Sequence, residues 1–283
     1  VPFFVPRKVK VITIIHDVSF KVFPRLIRFF DRLLLSIFIP PSLRRADKII
    51  GVSRFTKEEI ERCYAVPEEK LEWVHNAVSE EILERKFTPE EEKSVREIYG
   101  LPENFILYLG TMQPRKNIPL LIRAFSDLSK LFPEIKLVLA GGRGYNSDPE
   151  IDKEIGKLDL KKNIIFTGFV SEEDKACLFH LAKIFCFPSL YEGFGIPILE
   201  AFAIGTPVIA SRIPPHMEIA GNSALLFNPQ DQSTLFNNLR KLLESPEETQ
   251  ELRRRGWKNV KGFSWEKTAR KFLDIFENLA GNH

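Results

Sequence analysis

FPSLYEGFGIPILEAFAIGTPVIA, residues 187–210, is the stretch whose reading decides the fold. It reads as the end of a strand, a loop, a helix and the start of the next strand. Glu192 and Glu200 stand eight positions apart, with Gly193, Phe194 and Gly195 just after the first. On a helix that spacing is a little over two turns, so residues so placed point roughly the same way. Glu192 precedes the helix, however, and is expected at the mouth of a pocket, with Glu200 about a helix length deeper. The glycines let backbone N–H groups approach a ligand closely. The helix N-terminus, near Ile196 and Pro197, adds partial positive charge suited to an anion. Two carboxylates that accept from hydroxyls, around a backbone suited to phosphate, fit a sugar nucleotide. Two surface glutamates on an ordinary helix are the competing reading, and the Gly-Phe-Gly loop between flanking strands weighs against it.

Outward from this stretch the same alternation continues. Residues 105–109, 136–140, 163–167 and 184–187 read as strands before it, and 207–210 and 224–227 at its end and beyond. Helices fall between them, with three more from Asp231, Glu247 and Trp265. Asn117 is placed to cap a helix with Pro119 in its first turn, and Ser171 with Asp174 makes a start like a capping box. This is the pattern of a parallel, doubly wound α/β sheet.

Towards the N-terminus, KVKVITII, residues 8–15, reads as a buried parallel strand ending at His16 and Asp17. Residues 48–52 and 71–74 are two more strands, and Ser53 or Thr56 caps the helix between them. Residues 26–38 are helix-like, and Pro40-Pro41 is expected to interrupt that helix. Its apolar residues cover more than one stripe, with Arg25, Arg28 and Arg32 interleaved. Two readings stay open: a helix packed between its own sheet and a neighbour, or an interfacial helix docking on an anionic membrane. Only three strands precede the linker, where a full Rossmann-like domain has about six. The half-sheet leaves an apolar edge for a partner chain, a dimer contact or the membrane to cover.

Composition bounds the function. At 283 residues the chain holds one large or two ordinary domains, and 44% apolar residues suit a globular core. A net charge of +3 is too mild to argue for nucleic acid. Cys63, Cys177 and Cys186 are odd in number and lack metal-ligand spacing, which points to a reducing compartment. There is no signal-peptide pattern and no apolar run long enough to span a bilayer. A cytoplasmic protein, peripheral at the inner face of the membrane, is the expectation.

The eight-residue spacing of the two glutamates matches the E-x7-E pattern of retaining GT-B glycosyltransferases. The wording YEGFGIPILEAFAIGTPVIAS, residues 191–211, resembles the large GT4-like family that includes mannosyl- and glucosyltransferases. HDVSF at 16–20, GVSRFTKEE at 51–59 and VHNAV at 74–78 are similar to the second half of that family's N-terminal domain. Asn76-Ala77-Val78 departs from the family's Asn-Gly-Val. The family's opening βα units, with their glycine-rich loop, have no counterpart. FSWEKTARKFLDIFENL, residues 263–279, resembles its C-terminal helix. The resemblance implies GT-B architecture, two Rossmann-like domains with parallel doubly wound sheets, the first incomplete. The expected division is 1–85 for the acceptor side, 86–262 for nucleotide-sugar binding, and 263–283 for a helix crossing back.

A departing diphosphate needs positive charge. The sequence has no Asp-x-Asp triplet to hold a metal, and Arg115 and Lys116, just after strand and glycine, can do the metal's electrostatic work. Their position resembles the family's diphosphate-binding pair, with Gly110 and Thr111 beside them; solvated loop charges are the alternative. By resemblance Glu192 accepts from the sugar hydroxyls and Glu200 from the ribose. Charge-assisted bonds of that kind are worth about 1.5–3 kcal/mol when buried. The amides of Phe194, Gly195 and Ile196 would hold sugar and phosphate, while Phe169 and Val170 would border the nucleobase or simply pack in the core. His16 would face the donor sugar, and Asp17 would orient it or cap the next segment. His75, His180 and His216 have no comparable context, and Glu218 is read as structural.

The resemblance implies a retaining, metal-independent transfer of a hexose, with no protein nucleophile. The donor is GDP-mannose, with UDP-glucose open; the acceptor is a saccharide or lipid-linked saccharide; no cofactor is needed. A homo-oligomer or a missing-half partner chain would complete the first domain. The rival classes are a non-catalytic nucleotide-sugar-binding subunit of a split transferase and a nucleotide-sugar epimerase.

Overall fold

Four consecutive β-branched residues, Ile12–Ile15, form the first strand, β1. Short helix α1 (Ser19–Val22) and long helix α2 (Phe29–Arg45) follow. Then come β2 (Lys48–Gly51), α3 (Arg54–Tyr64) and β3 (Leu71–Trp73). A computed structural model describes residues 5, 6, 8–144 and 146–281. Its contacts divide into two units. The first comprises Val1–Ala77, Glu192–Gly195 and Phe263–His283; the second comprises Val78–Tyr191 and Ile196–Gly262. The break falls after Ala77, ahead of the linker boundary expected at 85, and the short segment Glu192–Gly195 makes its contacts with the first unit.

In the first unit the strands pair in parallel in the order β1-β2-β3, Ile12 opposite Lys48 and Ile49 opposite Leu71. The strand expected from Lys8 begins only at Ile12. Its one partner starts at Lys48, and the Val11 N–H donates instead to the Asp47 carboxylate at 2.8 Å. Because side chains alternate along a strand, neighbours in β2 serve opposite faces. Ile49 packs with Ile15, Val18, Phe20, Leu43, Ala46, Ile60 and Leu71, and Ile50 packs with Val74 and Ile275.

The interruption expected at Pro40-Pro41 does not occur. Helix α2 starts later than expected, at Phe29, and carries both prolines inside it to Arg45. Each proline removes a donor without forbidding helical φ. The helix is held past them by buried Ser42 and Leu43, and the Ser42 hydroxyl donates to the Phe38 carbonyl.

The second unit opens with helices α4 (Glu80–Leu83) and α5 (Pro89–Tyr99). The alternation then runs β4 (Phe105–Leu109), α6 (Ile118–Leu131), β5 (Lys136–Ala140), α7 (Glu150–Lys157), β6 (Ile164–Gly168) and α8 (Glu172–Leu181). It continues with β7 (Ile184–Phe187), α9 (Ile196–Ile204), β8 (Val208–Ser211), α10 (Pro214–Ala220) and β9 (Leu225–Phe227). Helices α11 (Gln232–Glu244) and α12 (Pro246–Val260) complete the unit. All six strands are parallel, in the order β6-β5-β4-β7-β8-β9. The central strands FILYL, KLVLA, IFCF and VIAS are buried nearly throughout, as a sheet covered on both faces requires. Ser171 caps α8 as expected, accepting from the Asp174 N–H at 3.1 Å.

The last helix, α13 (Trp265–Ala280), belongs to the first unit. The Thr268 hydroxyl donates to the His75 carbonyl at 2.8 Å, and Ile275, Phe272 and Leu279 cover the Ile50 face of the small sheet.

Candidate functional site

The strand order of the second unit reverses between β4 and β7: β5 and β6 lie to one side, β8 and β9 to the other. Loops leaving two such neighbours diverge, and open α/β sheets bind ligands in the crevice that results. The loop after β4 carries Gly110, Thr111, Arg115 and Lys116; the loop after β7 leads to residue 192.

The loop after β4 is tightly built. A methyl group on Gly141, whose φ is +126°, would stand 2.1 Å from the Gly110 carbonyl oxygen, so the loops after β4 and β5 meet at bare backbone. Thr111 is exposed, and its carbonyl accepts from the Tyr108 hydroxyl at 2.7 Å. Pro114–Lys116 form a single tight turn. Arg115 is tied to the loop after β7 through the backbone: its carbonyl accepts from Leu190 at 2.8 Å, and its guanidinium donates to the Tyr191 carbonyl at 3.2 Å. Its Nε donates to the Gln113 side chain at 3.1 Å. Lys116 is buried, its ammonium 5.0 Å from the centre of the Phe187 ring. These are placed charges, unlike two solvated ones on a loose loop.

Asn117 does not cap α6 with its side chain. It sits at φ +56°, and its amide donates to the carbonyls of Pro188 (3.2 Å) and Pro229 (2.9 Å). Asparagine tolerates the left-handed region, so the position is spent on stapling the loops after β7 and β9.

Glu200, on α9, is buried and paired with Lys175 on α8, Nζ to Oε1 2.7 Å. Burial pushes the Glu200 carboxyl above the usual carboxylate range; Lys175 pulls it part of the way back, and Glu172 pushes it up again. For Lys175 burial acts downward, but the two carboxylates outweigh it and the ammonium is held above its ordinary value. At the far side of the sheet Phe169 follows β6 and is 80% exposed, which rules out core packing for it; Val170 beside it is buried. Helix α9 begins at Ile196, and among the described residues the N–H groups of Gly195 and Ile196 donate to no acceptor.

In the first unit, segment Glu192–Gly195 is pinned from two directions. A Cβ on Gly193 would lie 1.7 Å from the carbonyl oxygen of His16, so only glycine fits there. The Gly193 carbonyl accepts from the hydroxyls of Ser53 (2.6 Å) and Thr56 (2.9 Å). Ser53 caps α3 at the same time, accepting from the Thr56 N–H at 2.9 Å. Buried Phe194 packs against His75, ring centres 5.5 Å apart, and against Phe263 at 6.2 Å. His16 is exposed at the end of β1; Glu192 is buried. Asp17 accepts from the N–H of Ser19, the first residue of α1, at 2.8 Å.

The structure therefore gathers Gly110, Thr111, Arg115 and Lys116 on one loop of the second unit, with Glu200, Phe169 and Val170 elsewhere in that unit. It brings Gly193 and Phe194 to His16 and His75 in the first. Sequence reasoning gives no role to Lys175, reads Ser53 and Thr56 only as helix caps, and finds no context for His75. The partners of Ser53 and Thr56 lie about 140 positions away, beyond any local signal.

The family described as Glycosyl transferases group 1 matches residues 90–259, and Glycosyltransferase Family 4 matches residues 2–82. This chain is a member of the group 1 glycosyl transferases. It is 30% identical to O-antigen chain mannosyltransferase B of Escherichia coli, the match covering 98% of this chain and 73% of that one. It is 33% identical to the serotype-specific mannosyltransferase WbdA of Escherichia coli over 83% of its own length, yet spans only 29% of WbdA. The structure of Anabaena Alr3699/HepE in complex with UDP and glucose superposes with a TM-score of 0.80 at 19% identity, covering 95% of this chain and 71% of that one. The fold is of GT-B type: two Rossmann-like units with parallel sheets, the first carrying three strands among the described residues.

Proposed function

We propose that this glycosyl transferase domain moves a hexose from a nucleotide sugar to a saccharide or lipid-linked acceptor, with retention at the anomeric carbon and without a metal. The observation that carries the reading is the fixed pair Arg115 and Lys116 at the switch point of the larger sheet. There the two cations neutralise the diphosphate as its bond to the sugar breaks. In a dry site, charge already in place costs no reorganisation at the moment of reaction. Glu200 accepts from the ribose hydroxyls, Phe169 stacks on the base, and the N–H groups of Gly195 and Ile196 bind phosphate oxygens at the start of α9. His16 and Glu192 act on the transferred hexose. The leaving diphosphate takes the acceptor's proton.

Mannose from GDP-mannose is the preferred donor, supported by relatives named as mannosyltransferases. UDP-glucose is the second choice, since the Anabaena structure holds UDP and glucose. Calorimetry with GDP and UDP, followed by NMR of the product anomer with and without a chelator, tests donor, retention and metal together. Glu200→Ala should weaken nucleotide binding about tenfold or more, the low end of the worth of one charge-assisted bond. Glu192→Ala should leave binding intact and lower transfer. Unchanged nucleotide affinity in Glu200→Ala would refute the ribose assignment.

The rival reading is a nucleotide-sugar-binding subunit of a split transferase, which would bind donor and show neither hydrolysis nor transfer in the same assays.

For the acceptor side we propose an anionic membrane surface. Helix α2 turns Ile39 and Leu43 to the core of its unit, while Phe29, Phe30, Leu33, Leu34, Ile37 and Phe38 stay exposed on the opposite arc. Residues 18–46 hold six Lys and Arg against a single acidic residue, Asp31, so the apolar arc is flanked by positive charge. That combination suits a helix lying in the headgroup layer. No helix among the described residues is long and apolar enough to cross a membrane.

A further inference from the structure

Lys175 has no part in the reading above, yet it is the group that holds Glu200. Its ammonium lies 2.7 Å from Glu200 Oε1 and 2.6 Å from Glu172 Oε2, with the lysine side chain 16% exposed and that of Glu200 11%. Glu172 is three residues earlier on α8 and 84% exposed, so that arm of the pair is a solvated one worth little. The Glu200 arm is desolvated on both sides. Among the described residues the ammonium of Lys175 pairs with those two carboxylates.

We infer that Lys175 is a positioning residue for the nucleotide ribose: by clamping Oε1 it presents Oε2 of an ionised Glu200 to the adjacent 2′- and 3′-hydroxyls, and so makes the site select ribose over 2′-deoxyribose. The inference rests on the assignment of Glu200 to the ribose. A carboxylate accepts two hydroxyl protons well only when ionised and held at the right rotation. Burial opposes the first requirement, and a flexible glutamate fails the second. A lysine on one oxygen meets both. The charged groups facing Glu200 are Lys175 and, more weakly, Glu172. Loss of the lysine removes the influence that lowers the Glu200 carboxyl and leaves the burial that raises it. The carboxyl then protonates at a higher pH. Ribose recognition in such a variant should be lost at a higher pH than in the parent and return as pH rises.

The test is calorimetry on the whole chain with GDP, UDP and their 2′-deoxy counterparts, from mildly acidic to mildly alkaline pH. The parent should prefer the ribonucleotides by about tenfold. Lys175→Met should lose that preference at a higher pH than the parent does and recover it as pH rises. Lys175→Arg should keep it, because the cation remains. Glu172→Gln alters an exposed side chain and serves if Lys175→Met does not fold; it should move the acid loss of the preference to lower pH. Comparing each variant with the parent cancels the titration of the phosphates themselves. Retention of the parental preference at every pH in Lys175→Met, while Glu200→Gln loses it, overturns the role of Lys175 alone. Retention in Glu200→Gln overturns the ribose assignment and this inference with it. An unmoved pH profile in Glu172→Gln, with Lys175→Met unfolded, also counts against it.

Discussion

Glu192 and Glu200 are the same residue type, one short segment apart, and equally buried, yet they are held by different means. Glu200 sits on a regular helix inside a six-stranded unit, and its partner Lys175 comes from the preceding helix of the same unit. Glu192 belongs to a four-residue segment fixed by a close backbone approach to His16 and by two hydroxyls from the start of α3. The first arrangement is an ion pair between successive helices of one unit. The second is a close backbone approach backed by two hydroxyl hydrogen bonds. Glu200 is therefore sensitive to the charge on Lys175, and the segment that carries Glu192 to volume at Gly193.

That difference can be broken by experiment. The largest expected effect lies with the fixed cations: Arg115→Ala should lower transfer by about a hundredfold or more, the usual loss when one positioned donor to developing charge is removed. Arg115→Lys should recover little, because lysine cannot reproduce the planar fork that reaches the Tyr191 carbonyl and Gln113. Steady-state rates with the preferred donor measure both. Next, Gly193→Ala forces a methyl group into the His16 carbonyl, which costs about 1–3 kcal/mol as overpacking does. It should reduce transfer while leaving nucleotide affinity of the second unit near the parental value; equal damage to both would erase the contrast drawn here. The smallest effect should come from the outer arc of α2. Phe29→Ser with Phe30→Ser should weaken co-sedimentation with phosphatidylglycerol vesicles several-fold and leave transfer to a water-soluble acceptor unchanged, since each exposed side chain contributes only the part of its area that enters the headgroup layer. A shift from dimer to monomer with no change in vesicle binding would point to a second copy of the chain as the occupant of that face.

Legibility from sequence followed the range of the interactions. The six strands of the larger unit were readable because each is a short apolar run between turn residues, and Ser171 could be recognised as a cap from residues three apart. Helix α2 was misjudged at its end, because two prolines outweigh local propensity unless Leu43 and Ser42 find a core to hold them. Asn117 looks like a cap in sequence, but its amide reaches Pro188 and Pro229 in the folded chain. The basic pair and the two acids were legible as motif members. That the lysine is stacked on Phe187 and the arginine fixed to Tyr191 was not.

The order of residues alone determined which segments become strands, where the parallel unit lies and which side chains have the chemistry for a sugar nucleotide, because periodicity and turn residues act over a few positions. Tertiary structure decided how that chemistry is held. It set the reversal of strand order between β4 and β7, gave Lys175 to Glu200, and brought the hydroxyls of Ser53 and Thr56 to Gly193. Those contacts join residues separated by tens to more than a hundred positions, and only the closing of the chain on itself brings such pairs within hydrogen-bond reach.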